Sequence, residues 1–382
     1  MKRREGKMLR SSVICAGLSL AVLCGTYVVG CGDSTVDDTN PTGPGVRPPE
    51  AVDGAPTGDG SGFTYAVSKL YLGDTNRDGS PSTTAWQSYG YDIDGQQTID
   101  DFSNHCTPKA GANPAKVFPD GKDGIDNSFG RTILGIITPL VADPSATVNE
   151  QIEEGGFTII MSLDTLGDGP NYAGIPAFLN IGADLGESPR FDGTDEWPIY
   201  QELLSNPADP KSTQLSFPDS YVNDGTWVSG TPGKLDLALS IAGFNLTLNI
   251  ENAVITMDLD DPRSGGATNG VISGYIQVEP FLGELEKIAG AFDENLCSGS
   301  TLEAIKDEIR KAADMPLGGT QGGGECEAIS IGLGFDAEPV ILGDIEDEQP
   351  PADDPCNPSS TGGNGAGGMG MGGQGQGGSG GA

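Results

Sequence analysis

From Lys234 onward, polar and apolar side chains alternate through four successive runs, and this pattern restricts the chain more than any other feature. Leu235, Leu237, Leu239 and Ile241 alternate with Asp236, Ala238 and Ser240. After an interruption at Gly243, Leu246, Leu248 and Ile250 resume against Asn245, Thr247 and Asn249. Ile255, Met257 and Leu259 make a third run, and Ile272 to Val278 a fourth, after a Pro/Gly-rich turn ending in Asn269-Gly270. A period of two puts alternate side chains on opposite faces of an extended strand, so the runs predict an antiparallel meander with one face on a core and one in water. Phe157 to Leu163, bounded by glycines, reads as another strand, and Ala328 to Phe335 followed by Pro339 to Leu342 closes the set. The fold class expected is mainly β: an antiparallel β-sandwich with a few packed α-helices, with a β-barrel as the alternative.

Helices are the minority. Ser300-Thr301-Leu302-Glu303 has the form of a capping box, and Leu302, Ile305, Ile309 and Ala312 then fall on one helical face. Phe281 to Phe292 reads as a preceding helix. Asn127 to Leu140 reads as a third, with Ile133, Ile136, Ile137 and Leu140 as its stripe. Outside the patterned region, residues 31–62 are Pro, Gly, Thr and Asp with almost no large apolar side chain. They are expected to be a disordered tether, spanning about 30 Å as a coil. Half of the 26 residues from Asn357 to Ala382 are glycine, which places a disordered tail over 346–382 and leaves 63–345 as the globular domain.

The first 30 residues differ from the rest. Lys2, Arg3, Arg4, Lys7 and Arg10 precede an apolar stretch from Val13 to Val29, and no second such stretch exists. This is the layout of an export signal. Val28-Val29-Gly30-Cys31 resembles the lipobox cut by lipoprotein signal peptidase. The resemblance implies a bacterial lipoprotein whose Cys31 thiol takes a diacylglyceryl group and becomes the mature N-terminus. Residues 1–30 would then be a signal peptide, and the membrane a partner through the acyl anchor. It further implies a cell-envelope address: lipid-anchored to the outer membrane, at its periplasmic face or the cell surface. As a whole the chain resembles uncharacterised surface lipoproteins of Gram-negative bacteria.

The chain has 20 basic and 55 acidic residues, and loss of the signal leaves 15 and 54, a formal charge of −39. Electrostatic binding to nucleic acid or to an anionic membrane face is excluded, and divalent cations are favoured. One histidine in the chain argues against transition-metal sites. Cys106, Cys297, Cys326 and Cys356 remain in the mature chain, an even number that suits two disulfides in an oxidising compartment. Cys297–Cys326 is expected because the two flank one helical segment, and Cys106–Cys356 follows.

Two acidic clusters carry the possible chemistry. Asp74, Asn76 and Asp78, with Gly79, match the opening of a calcium loop and resemble the loops of EF-hand and dockerin repeats over six residues. Position twelve is Ala85 rather than Glu, so Asp92 or Asp94 would have to complete the shell. An Asx-rich surface turn explains the same residues. Asp120, Asp123 and Asp126 lie in Asp-Gly-Lys-Asp-Gly-Ile-Asp-Asn, similar to metal-binding repeats of secreted bacterial proteins, and an N-cap at Asp126 or Asn127 is the competing explanation. The cofactor expected is Ca2+. His105 reads as a solvated or capping side chain rather than a base. Of Trp86, Trp197 and Trp227, at least two are expected in the core. No catalytic constellation stands out. The function expected is a binding or structural role for a lipid-anchored surface protein, with a glycan or protein as partner through a calcium-stabilised β domain. The alternative is a glycan-processing hydrolase using paired carboxylates.

Overall fold

The computed structural model describes residues 43–139, 143–241, 244–293, 296–347 and 356. The expected signal, the Cys31 anchor and nearly all of the Gly-rich tail lie outside them.

Among the described residues twelve strands form one sheet rather than two. They are β1 (Phe63–Tyr71), β2 (Thr158–Leu163), β3 (Ala177–Gly182), β4 (Glu196–Tyr200), β5 (Ser216–Phe217), β6 (Tyr221–Asn223), β7 (Thr226–Val228), β8 (Gly233–Ile241), β9 (Phe244–Leu259), β10 (Ala267–Gln277), β11 (Ala328–Pro339) and β12 (Ile341–Glu346). The order is β12-β4-β3-β2-β1-β11-β10-β9-β7-β6, with β5 on β3 and β8 on β9. Every pairing is antiparallel except β12 with β4. The mainly β reading holds. The sheet curls into a half-barrel, nearer the barrel alternative than a two-sheet sandwich.

The alternating runs become β8, β9 and β10, which with β11 form the expected meander. The second and third runs are one long strand, β9, carried past Ala253 and Val254 by register shifts in its pairing with β10. The wet face is found on β8 and the first half of β9, where Leu235, Leu237, Leu246 and Leu248 are buried while Asp236 and Asn249 are exposed. It is absent from β11, which is buried on both faces from Ala328 to Phe335. The second face there is covered by the chain around Tyr89 and Gly90. Gly332 and Gly334 make that possible, because a Cβ at Gly332 would strike the Tyr89 carbonyl oxygen and one at Gly334 the Tyr89 ring.

The described residues include five α-helices: α1 (Pro114–Val117), α2 (Leu134–Ile137), α3 (Pro144–Glu154), α4 (Val278–Phe292) and α5 (Ser300–Lys311). α4 lies on β9, and α3 on β1 and β8. The helix expected over 127–140 is instead a π-helical turn, Phe129–Ile133, running into α2. Leu140 is outside the described residues. The capping box does not form: α5 begins at Ser300 with Gly299 at its cap and no side chain bonded there. The expected tether is partly folded. Val46 N–H donates to the Asp123 carbonyl at 2.8 Å, Gly60 N–H to Thr165 at 3.0 Å, and the Tyr221 hydroxyl to the Pro49 carbonyl at 2.6 Å.

The four cysteines among the described residues are paired, but as Cys106–Cys326 and Cys297–Cys356. This corrects the expected Cys297–Cys326 and Cys106–Cys356. Flanking a helix brings two cysteines close in sequence only. Backbone bonds from Thr107 N to the Gly324 oxygen, 2.8 Å, and from Cys326 N to the Thr107 oxygen, 2.9 Å, are what set Cys106 beside Cys326. Two disulfides belong in an oxidising, extracytoplasmic compartment. Among the described residues no helix is long and apolar enough to cross a membrane.

Candidate metal centre

Three carboxylates meet in the layer that covers β10 and β11. Asp92, Asp94 and Asp126 each place an oxygen within 4.8 Å of the others. Short turns aim them. Asp92 accepts from Gly95 N at 2.6 Å and Gly45 N at 2.5 Å, and Asp94 accepts from Gln96 N at 2.8 Å. Asp126 accepts from Ile93 N at 2.7 Å and Asp94 N at 3.2 Å, which fastens one loop to the other. The sharp reversal after Asp94 places Gly95 at φ 83°, a left-handed value that suits glycine.

Two further acids stand around the three. Asp120 accepts from Thr98 N at 2.5 Å. Asp314 is buried and accepts from Ser330 N at 2.9 Å and Ser330 Oγ at 2.6 Å. So many carboxyls in a dry setting hold one another's protons. Burial, then repulsion from Asp92 and Asp314, pushes Asp94 up to about 6. Burial and the neighbouring Asp94 and Asp314 push Asp120 up to about 8. Asp126 is raised well above the usual carboxylate range by burial and by Asp94, Asp120 and Asp314. Asp314 is raised by burial to about 6, with the Arg131 guanidinium pulling the other way.

Compensating cations are few. Arg47 lies 3.8 Å from Asp92 but is half exposed. Arg131 spends its donors on the carbonyls of Pro119 and Val117, and its guanidinium lies 5.5 Å from the centre of the Trp86 ring. The group therefore offers hard oxygen ligands with an excess of negative charge, a setting that could hold a metal ion.

Asp120 also faces a cavity of about 700 Å³, walled by Trp86, Arg131 and the segment around α1 and closed by the end of α5.

The sequence-predicted residues divide. Asp120 and Asp126 of the second cluster join the centre, while Asp123 stands exposed in a left-handed conformation, φ 54°, using its backbone carbonyl rather than its side chain. The N-cap of the turn is Ser128 rather than Asp126 or Asn127; Asn127 ties the turn to the sheet, its Oδ1 accepting from Gly130 N at 2.8 Å and its Nδ2 donating to the Gly332 carbonyl at 2.8 Å. The first cluster does not converge. The Asp74 carboxylate accepts from Ser145 N and Ser145 Oγ at the start of α3, Asn76 donates to Ser80 Oγ at 3.0 Å, and Asp78 accepts from Ser80 N at 2.9 Å. The Ser80 hydroxyl, and after it the Ser80 N–H, hold Asp78 below the usual carboxylate range. Between them Arg77 reaches to the carbonyls of Phe335 and Gly270 at 3.0 and 2.9 Å, pinning the turn to the sheet. Asp92 and Asp94, expected to complete that loop, belong to the other.

Trp86, Trp197 and Trp227 are all buried, the last two donating to Ala183 O and Ser220 Oγ. His105 is half-buried, its Nε2 2.9 Å from Thr98 Oγ1. Sequence reasoning missed Arg131 and Asp314. It also missed the signal at Asp92-Ile93-Asp94-Gly95, a short acid-x-acid-glycine turn of the kind weighed elsewhere in the chain.

Comparisons with known proteins add nothing to this geometry: no family model, no curated protein and no solved structure matches the chain.

Proposed function

We propose that the protein is a lipid-anchored extracytoplasmic protein whose β domain binds calcium at Asp92, Asp94 and Asp126 and serves a binding or structural role toward a glycan or protein partner. The observation that carries the cation is the convergence of three carboxylate oxygens within 4.8 Å on turns whose backbone N–H groups orient them. All are hard oxygen donors with no thiolate or imidazole among them, which suits calcium over zinc or copper. Asp120 lies next to the three as a further oxygen donor. Calcium tolerates variable coordination number, whereas magnesium demands a small octahedral shell and sheds water reluctantly. The lipid anchor rests on the Val28-Val29-Gly30-Cys31 lipobox and fits the compartment that two disulfides require.

Hydrolysis of a glycan finds less support. It needs two carboxyls facing one ligand. Of the cluster, Asp120 alone lines the cavity, and the other acid there, Glu308, is held by Lys311 at 2.8 Å.

Calorimetric titration of the EDTA-stripped protein with calcium tests the reading. One saturable site is expected in the wild type, and none in Asp126→Asn, which keeps an acceptor oxygen for Ile93 and Asp94 but removes a charge. No heat of binding in the wild type would refute it.

A further inference from the structure

We propose that residues 44–47 form a strap whose closure is coupled to cation binding at Asp92, Asp94 and Asp126, so that calcium sets the point at which the N-terminal chain joins the domain. The inference rests on the cation reading above and adds a regulatory consequence to that site. The strap lies across both loops that carry the carboxylates. On the first loop, Asp92 Oδ2 accepts from Gly45 N at 2.5 Å, Asp92 N donates to the Val46 carbonyl at 2.8 Å, and Gln97 Nε2 donates to the Pro44 carbonyl at 3.1 Å. On the second, Val46 N donates to the Asp123 carbonyl at 2.8 Å, just ahead of Asp126. Only glycine permits so close an approach at position 45: a Cβ there would strike the Asp123 carbonyl oxygen and stand 2.9 Å from Gly124 Cα.

Burial does not hold the strap. Val46 is 38 % exposed, and the Arg47 side chain, 3.8 Å from Asp92, is 54 % exposed. A segment kept in place by hydrogen bonds with little apolar burial opens locally at low free energy. Its hold therefore depends on how firmly the two loops are set. The Gly45 N–H helps to aim the Asp92 carboxylate, and a carboxylate oxygen has a second lone pair left for an ion. An ion that needs this orientation binds better with the strap closed, and by reciprocity keeps the strap closed. When the strap opens, the next bonds along the chain are those that the Pro49 and Glu50 carbonyls accept from the Tyr221 hydroxyl at 2.6 Å and Asn223 Nδ2 at 2.8 Å. The chain upstream then gains roughly 17 Å of reach, the extended length from Pro44 to Pro49.

The test is amide hydrogen exchange at Gly45 and Val46 in the full chain, in EDTA and in calcium at a hundredfold excess over the Kd found by calorimetry. Exchange at both should slow about tenfold or more in calcium, toward the roughly hundredfold limit that mass action sets when opening requires release of the ion. Gly60 and Gly62, whose amides donate to Thr165 and Leu166 outside both loops, should not change. Gly45→Ala, which forces the strap off the loops, should weaken calcium binding about tenfold through loss of a charge-assisted hydrogen bond. Val52→Ala, at an exposed position beyond the strap, should leave it unchanged, and melting curves check that both variants fold. In a chain that binds calcium, unchanged exchange at Gly45 and Val46, equal slowing at Gly60 and Gly62, or full affinity in Gly45→Ala would overturn the strap and leave the cation reading standing. A chain that binds no calcium would overturn both.

Discussion

Asp126 is buried beside Asp94 and Asp120, and without a cation the three can coexist in the fold only by keeping protons. That fixes the sign of a pH effect. Their folded-state values stand above the unfolded carboxylate range near 4, at about 6 for Asp94 and about 8 for Asp120. Stability from these groups is complete below about pH 4 and is lost as the pH rises through 6 and then 8. In EDTA the melting temperature should therefore fall between pH 5 and pH 9, and saturating calcium should flatten the slope by taking the place of the protons. A melting temperature that rises with pH in EDTA would contradict the assignment. Arg131 gives a second test at this scale. Arg131→Met leaves the Val117 and Pro119 carbonyls and Asp314 without their cation, at a cost of about 3 kcal/mol in urea denaturation. Arg131→Lys should not restore it, because one ammonium cannot serve two carbonyls and lie over Trp86. The residue pattern disclosed Asp120 and Asp126 but not their partners. Asp92 and Asp94 lie about thirty positions earlier in an equally acidic loop, and nothing local distinguishes the loop that converges from the one around Asp78, which bonds to its own Ser80.

At the scale of elements, the alternation from Lys234 to Ile250 was sufficient to read the start of the meander, because β8 and the first half of β9 have one wet face and pair as sequence neighbours. β1 was not legible. Its Tyr65 to Val67 stretch is buried without alternation, and its partners β2 and β11 lie far along the chain. The cover over β10 and β11 was hidden for a related reason: Gly332 and Gly334 look like any glycines until Tyr89 is seen lying on them. The disulfides follow the same rule, since contact in space decides them. Non-reducing peptide mapping should link Cys106 to Cys326 and Cys297 to Cys356; a Cys297–Cys326 peptide would contradict the structure. The bonds close chain separations of 220 and 59 residues. The chain-entropy relation then gives about 5 and about 4 kcal/mol respectively, so Cys106→Ser should lower stability more than Cys356→Ser.

For the whole molecule, an acid-rich β domain faces self-repulsion that bound cations would relieve. The proposed lipid anchor has its own test: Cys31→Ser should abolish labelled fatty-acid uptake, and a wild type that takes up none would refute the lipoprotein reading. The central claim is a specific calcium centre at Asp92, Asp94 and Asp126, distinct from general screening of a −35 chain. Its most direct test is thermal melting of wild type, Asp126→Asn and Asp78→Ala, each in EDTA, calcium, magnesium and sodium chloride of matched ionic strength. At a hundredfold excess over Kd, a bound ion stabilises the native state by about 2.7 kcal/mol, a rise of a few degrees in a domain of this size. The account predicts that rise in calcium, a smaller one in magnesium and none in sodium, retained in Asp78→Ala and abolished in Asp126→Asn. A rise matched by sodium, or one that survives in Asp126→Asn and vanishes in Asp78→Ala, would contradict it.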